Sequence, residues 1–315
     1  LISNQILFNR KKEILELKLM DKKITRRFFV ERTLGAGIGL AAINHLTACS
    51  ATGRKGMKLG LVTYQWAKDW DLPTLIDNCE KTGFESVELR TQHAHKVEIN
   101  LSAIERTEVK KRFMDSSVIC VGYGSNFEFH DSDQVKLREN IDQTKAYIKL
   151  CKDIGASGLK VKPNNLPADV PKEKTIAQIA ASLNEIGKFA NNLGQLIRVE
   201  AHGNLTQELP YMKAIFTQVT EPNVKICWNC NDQDLLFPGL DRNFDMVKKW
   251  FGDTVHIREL NEGSYPYQQL FNRFTGINYN GWILLEARTE PSDKLAAMRE
   301  QLSLFNQMIG ESQKT

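Results

Sequence analysis

From Lys58 onward the chain repeats one pattern: a short run rich in apolar and β-branched residues, then a longer stretch with helical spacing. The short runs are Lys58–Trp66, Ser86–Thr91, Val118–Gly124, Gly158–Pro163, Ile197–Gly203, Val224–Asn229, Val255–Leu260 and Trp282–Ala287. Between and after them, apolar residues recur at the helical period over Leu72–Thr82, Val135–Ile154, Lys174–Leu193, Thr206–Val219, Arg242–Phe251, Tyr267–Thr275 and Asp293–Met308. A weaker helix is expected at Ser102–Asp115, and Gly83, Gly155 and Gly194 stand where helices should end. Strand and helix alternating eight times over about 250 residues is the arithmetic of an α/β fold of the TIM type, a (β/α)8 barrel. The competing fold is a doubly wound open sheet, but no glycine-rich phosphate loop follows the first strand.

The polar residues of these strands carry the next constraint. Successive residues of a strand point to opposite faces. In the fifth strand Arg198, Glu200 and His202 share one face against Ile197, Val199 and Ala201; in the fourth, Lys160 and Lys162 oppose Leu159 and Val161. Glu88 and Arg90 share a face of the second strand, His256 and Arg258 of the seventh, and Glu286 opposes Leu285 in the eighth. The apolar faces pack on helices, which leaves the charged faces inside the barrel, where an unpaired charge is costly. Glu200, Asn229, His256 and Glu286 follow one another at about one βα unit each, near the ends of strands five to eight, so they converge on one rim.

At these residues the stretch from Lys58 to the end resembles the xylose isomerase-like TIM barrels, a family that includes sugar epimerases, inosose dehydratase and endonuclease IV. Val199-Glu200-Ala201-His202-Gly203, His256-Ile257-Arg258-Glu259 and Leu285-Glu286-Ala287 match the family's motifs on strands five, seven and eight. The resemblance implies a divalent metal held by Glu200, Asn229, His256 and Glu286, with Asn229 standing where the family has Asp. Two carboxylates, an imidazole and an amide oxygen suit Mn, Mg or Zn, and the lost charge at Asn229 weakens the site. The opposing reading is a metal-free polar core in which Glu200 and Glu286 pair with Arg198, Arg258 or Lys162.

The resemblance implies a carbohydrate as partner, and Glu200 and Glu286 are the candidate acid–base pair for isomerisation or epimerisation next to a carbonyl. With a β-leaving group the same enolate gives a lyase or dehydratase. A barrel that binds sugar without catalysis is a third reading, motivated by Asn229. His202, Lys160, Lys162, Arg258 and Glu88 are the candidate substrate contacts; salt bridges within the barrel are the alternative for the lysines, and Arg90 is the alternative partner of Glu88. His93 and His95 read as exposed loop residues. Trp66 and Trp228 read as a stacking wall, although Trp228 has helix-facing parity. Tyr265-Pro266-Tyr267 is either rim or the start of a helix.

The chain carries 42 Lys+Arg against 38 Asp+Glu, a net charge of +4, much of it before residue 33, so nothing argues for nucleic acid as a partner. Residues 1–56 read as an export leader and linker and 57–315 as the barrel. Arg26-Arg27, the weakly apolar run Leu34–Ile43 and Leu46-Thr47-Ala48-Cys49 follow the order of a twin-arginine-like signal and a lipobox. Cys49 is then the lipidated N-terminus of a periplasm-facing lipoprotein in the cell envelope, with the lipid as its only membrane contact; Met20 is the expected start, residues 1–19 lying upstream. Of the six cysteines, Cys227 and Cys230 form a C-x-x-C that reads as a core thiol and a loop thiol rather than a redox pair.

Overall fold

The computed structural model describes residues 56–314. Eight parallel strands close into a barrel in sequence order, each hydrogen-bonded to its neighbours, with the first pairing to the last. They are β1 (Lys58–Val62), β2 (Ser86–Arg90), β3 (Ile119–Glu128), β4 (Gly158–Lys162), β5 (Leu196–Glu200), β6 (Val224–Asn229), β7 (Phe251–Ile257) and β8 (Trp282–Leu285). The helices that follow them are α1 (Leu72–Thr82), α2 (Ala103–Met114), α3 (Gln134–Ile154), α4 (Lys172–Asn191), α5 (Leu209–Phe216), α6 (Leu240–Val247), α7 (Tyr267–Gly276) and α8 (Lys294–Ser312). The expected (β/α)8 barrel is the observed fold.

Local chemistry explains the helix ends. Asp71 accepts a hydrogen bond from the Thr74 amide at 2.9 Å to start α1, and Gly83 ends it in the left-handed region at φ 82°. α2 opens on a reciprocal capping box: Glu105 N–H donates to Ser102 Oγ while Glu105 Oε2 accepts from the Ser102 amide. That box accounts for a helix whose apolar periodicity alone is weak.

Several boundaries differ from the sequence reading. The expected helix Arg242–Phe251 stops at Val247, and Phe251 opens β7. Its ring sits among Trp228, Phe244 and Phe274, with ring centroids 5.0–5.8 Å apart, so an aromatic that suited a helix face serves the outer face of a strand. β5 ends at Glu200, and α5 begins only at Leu209. The residues between hold a rim ladder: Gly203–Asn204 pairs in parallel with Asn164–Asn165, joining the loops after β4 and β5.

The apolar faces of the strands form one large core with the helices, from Leu59 and Leu61 through Leu159, Val161 and Val199 to Ile283 and Leu285. The inner face is mixed. Val62 is in register with Glu88, and Leu284 with His256. Space for long polar side chains comes from glycines on β3. A Cβ at Gly122 would lie 2.5 Å from Arg198 Nη1, and one at Gly124 2.7 Å from Glu88 Oε1. Arg198, fully buried, is spent on a bidentate pair with Asp253 at 2.8 Å from both Nε and Nη2.

Candidate active site at the barrel mouth

Glu200 and Asn229 are the last residues of β5 and β6, His256 is the penultimate residue of β7, and Glu286 directly follows β8. Asn229 and His256 are register partners, so neighbouring strand ends present them at one level. All four are buried. One donor atom each of Glu200, His256 and Glu286 lies within 4.8 Å of the others. Asn229 joins through Glu200, donating from Nδ2 to Oε1 at 3.0 Å. The four residues that the strand spacing singles out therefore do come together.

Each carboxylate is backed by a cation. Lys160 Nζ donates to Glu200 Oε2 at 2.6 Å, and both side chains are almost fully buried, at 0% and 2% exposed. Burial alone would raise the Glu200 pKa; the Lys160 ammonium, and after it His256, outweigh that and hold the carboxyl well below the usual range. Arg90 Nη1 donates to Glu286 Oε1 at 2.7 Å, with its guanidinium over the Tyr64 ring at 4.8 Å. Glu88 Oε1 lies 3.2 Å from His256 Nε2, which leaves Nδ1 on the Glu200 side at 4.0 Å from Oε1. Burial would discharge His256, but Cys227 and Glu88 beside it push its pKa well up.

These pairings correct several expectations. The partners of Glu200 and Glu286 are Lys160 and Arg90, not Arg198, Arg258 or Lys162. Glu88 does not pair with Arg90 and does not reach the rim: it is fully buried and faces His256. Lys160 is likewise enclosed and faces Glu200. Parity found the face these residues share, but several charges share it, and which two meet depends on reach along the barrel axis.

The other candidates lie higher. Lys162, the last residue of β4, is half-buried. His202 lies beyond the end of β5, and its Nδ1 is 2.7 Å from Asn164 Oδ1. Arg258 directly follows β7, half-buried, with a buried Nε that makes no hydrogen bond. His95 is buried rather than exposed, its ring bridging the Arg90 carbonyl at 2.8 Å and the Val97 amide at 3.0 Å; His93 is half-buried beside Thr63. Trp66 and Trp228 are both buried, so neither forms a wall open to ligand. Cys227 and Cys230 are free, buried thiols. Tyr267 starts α7, while Tyr265 belongs to a chain that the sequence reading missed: Trp228 Nε1 donates to the Tyr265 hydroxyl at 3.2 Å, which donates to Asp234 Oδ2 at 2.7 Å. Burial raises the Asp234 pKa to about 8. Glu259, which matched a family motif, works outside the site: its Oε1 accepts from the amides of Arg288 and Thr289 and from the Thr289 hydroxyl, fixing the loop after β8.

Residues 76–233 match the sequence model of the family described as xylose isomerase-like TIM barrel. The chain belongs to that family. Several solved structures overlay on it despite low identity. The apo 3-keto-D-glucoside 4-epimerase YcjR from E. coli has TM-score 0.68 and 15% identity over 80% of this chain and 99% of its own. D-psicose 3-epimerase from Clostridium cellulolyticum H10, solved with D-tagatose, has TM-score 0.66 and 14% identity over 80% of this chain and 99% of its own. The IOLI protein, solved with a zinc atom, has TM-score 0.67 and 15% identity over 81% of this chain and 99% of its own. At such identities the likeness establishes the fold.

Proposed function

We propose that this barrel is a carbohydrate isomerase or epimerase acting next to the carbonyl of a sugar or keto-sugar, with Glu200 and Glu286 as its acid–base pair. The observation that carries the reading is the convergence of two buried carboxylates, from strands three apart, on one imidazole. The epimerase activities named for the solved structures that share its fold agree with it.

Glu200, kept ionised by Lys160, takes the proton from the carbon beside the carbonyl. In the epimerisation Glu286 enters as the carboxylic acid, gives its proton to the opposite face of that carbon and is left as the carboxylate that Arg90 pairs with, while Glu200 ends protonated; proton exchange with solvent resets both. Glu88 orients the His256 ring between them.

The donor set also fits a divalent cation such as Mn, Mg or Zn. Glu200, His256 and Glu286 offer mutually close donor atoms, His256 Nδ1 is buried without a hydrogen bond, and Asn229 keeps its amide oxygen as a neutral fourth donor. When bound, the ion would supply Lewis-acid polarisation of the substrate carbonyl. Asn229 brings no negative charge, so this site holds such an ion more weakly than one with Asp at 229 would.

The expected leader, Arg26-Arg27 through Cys49, lies outside the described residues. We place the barrel in the cell envelope on that leader's motif order alone.

The test of the activity is proton exchange. Purified protein with D-fructose, D-psicose or D-tagatose in deuterated water should replace the C–H beside the carbonyl with C–D, followed by NMR. Exchange that continues at the wild-type rate in both Glu200→Gln and Glu286→Gln overturns the assignment.

A further inference from the structure

Most of the charge at the mouth is answered from within the protein. Lys160 meets Glu200, Arg90 meets Glu286, and Glu88 faces His256. Lys162 is an exception. It stands two residues beyond Lys160 on the same face of β4, half-buried, and among the described residues it makes neither an ion pair nor a hydrogen bond. The carboxylate nearest in register, Glu128 of β3, takes a hydrogen bond from Asn164 Nδ2 instead. Lys162 stands one pleat repeat beyond Lys160, whose ammonium meets Glu200, and the charges around it are those of Lys160, Glu200, Arg90 and Glu286. Burial, and then the Lys160 charge, push its pKa down, as expected of a cation without a counter-charge. Arg258, three strands further round the rim, is a second half-buried cation without an ion pair among the described residues.

His202 stands beside this position in a defined orientation. Because Asn164 Nδ2 donates to Glu128, its Oδ1 is the acceptor that faces His202, and His202 Nδ1 therefore carries the hydrogen of the 2.7 Å bond. Nε2 is then left as an acceptor, suited to a hydroxyl and not to an anion. Lys160 and Arg90 answer the two reacting carboxylates and Glu128 is held by the Asn164 amide, so Lys162 keeps no salt-bridge partner among the described residues; an anionic substrate would supply one and a neutral sugar would not.

We infer that Lys162 binds a carboxylate of the substrate while His202 Nε2 accepts from a neighbouring hydroxyl, so that the sugar this barrel acts on is a sugar acid. The inference rests on the proposed reaction and names its substrate class. Lys162 offers one cation at its place on the rim, and Arg258, the other without an ion pair among the described residues, comes from a strand three further round, so a singly charged carboxylate matches the position of Lys162. A phosphate ester carries close to two at neutral pH and is usually met by several donors, often at a helix N-terminus.

The experiment compares matched sugars on wild-type protein by isothermal titration calorimetry: D-fructuronate and D-tagaturonate, the neutral D-fructose and D-tagatose, and D-fructose 6-phosphate. The acids should bind at least about tenfold more tightly than their neutral parents, and the advantage should shrink as salt is raised. In Lys162→Met the acid-to-neutral affinity ratio should fall about tenfold, and Lys162→Arg should recover part of it; circular dichroism checks that each variant is folded. Equal affinity for acids and neutral parents overturns the inference, as does a preference for the phosphate ester. A ratio that survives in Lys162→Met with only turnover reduced also overturns it, since Lys162 would then act on the enolate oxygen. If neutral ketoses exchange deuterium while acids gain nothing, the proposed reaction stands and this inference falls; if no sugar of any class binds or exchanges, both fall.

Discussion

Asn229 changes the character of the mouth with a single amide. An aspartate there would set a second carboxylate against Glu200; the amide instead donates to Glu200 at 3.0 Å. Asn229→Asp should therefore tighten Mn or Zn binding by about tenfold, the scale of one restored ligand charge at about 1.4 kcal/mol, read by calorimetry. If neither protein binds the ion, the metal-binding reading fails. Glu200→Gln and Glu286→Gln should each slow deuterium exchange by about a hundredfold or more, as loss of a general acid or base does. Glu200, Asn229, His256 and Glu286 were legible in the sequence because strand spacing and side-chain parity place residues on a rim. Their partners were not. Glu88 and Arg90 share a face of β2, and parity could not tell that the lower one turns to His256 while the upper one reaches Glu286.

At the scale of elements, the loops beyond the strands held most of what sequence alone left hidden. The loop after β6 carries Asp234, whose Oδ2 accepts from Tyr265 of the loop after β7, while Oδ1 is buried without a partner. Its pKa is raised to about 8 by burial, from an ordinary value of 3.8. The folded state thus holds a proton that the unfolded chain has lost, so this group favours folding at low pH. That contribution declines as pH rises from about 4 towards 8. Asp234→Asn, which mimics the protonated form, should flatten that dependence; urea midpoints of both proteins from pH 5 to 9 check it, and parallel curves would refute it. Nothing in the local sequence marks Asp234 as buried, and one of its partners, Tyr265, lies thirty-one positions away. Where a helix end had a local cause, as at Gly83 or Gly155, the sequence showed it; where the cause was an aromatic cluster drawn from several elements, as at Phe251, it did not.

For the whole molecule, eight repeats of one alternating pattern left little choice of fold, since each helix needs a strand face to cover and the sheet closes when the count reaches eight. The leader reading makes a separate claim about the entire chain. Replacing Arg26 and Arg27 by Lys should leave the precursor in the cytosol, and Cys49→Ala should release or leave unprocessed a form that the wild type anchors; unchanged membrane fractionation in both variants counts against export by this route. The mouth of the barrel, finally, is not equally free to change around its circumference. Gly203, at φ 93°, passes so close to the Asn164 carbonyl that any Cβ there would overlap it, at 1.9 Å. The loops after β4 and β5 are thus fastened at a point that tolerates no side chain, and a substitution in one is transmitted to the other. Redesign of this barrel for a new substrate has to treat those two loops as a single inherited part, whereas the remaining loops lie outside that ladder and are the places to begin varying sequence.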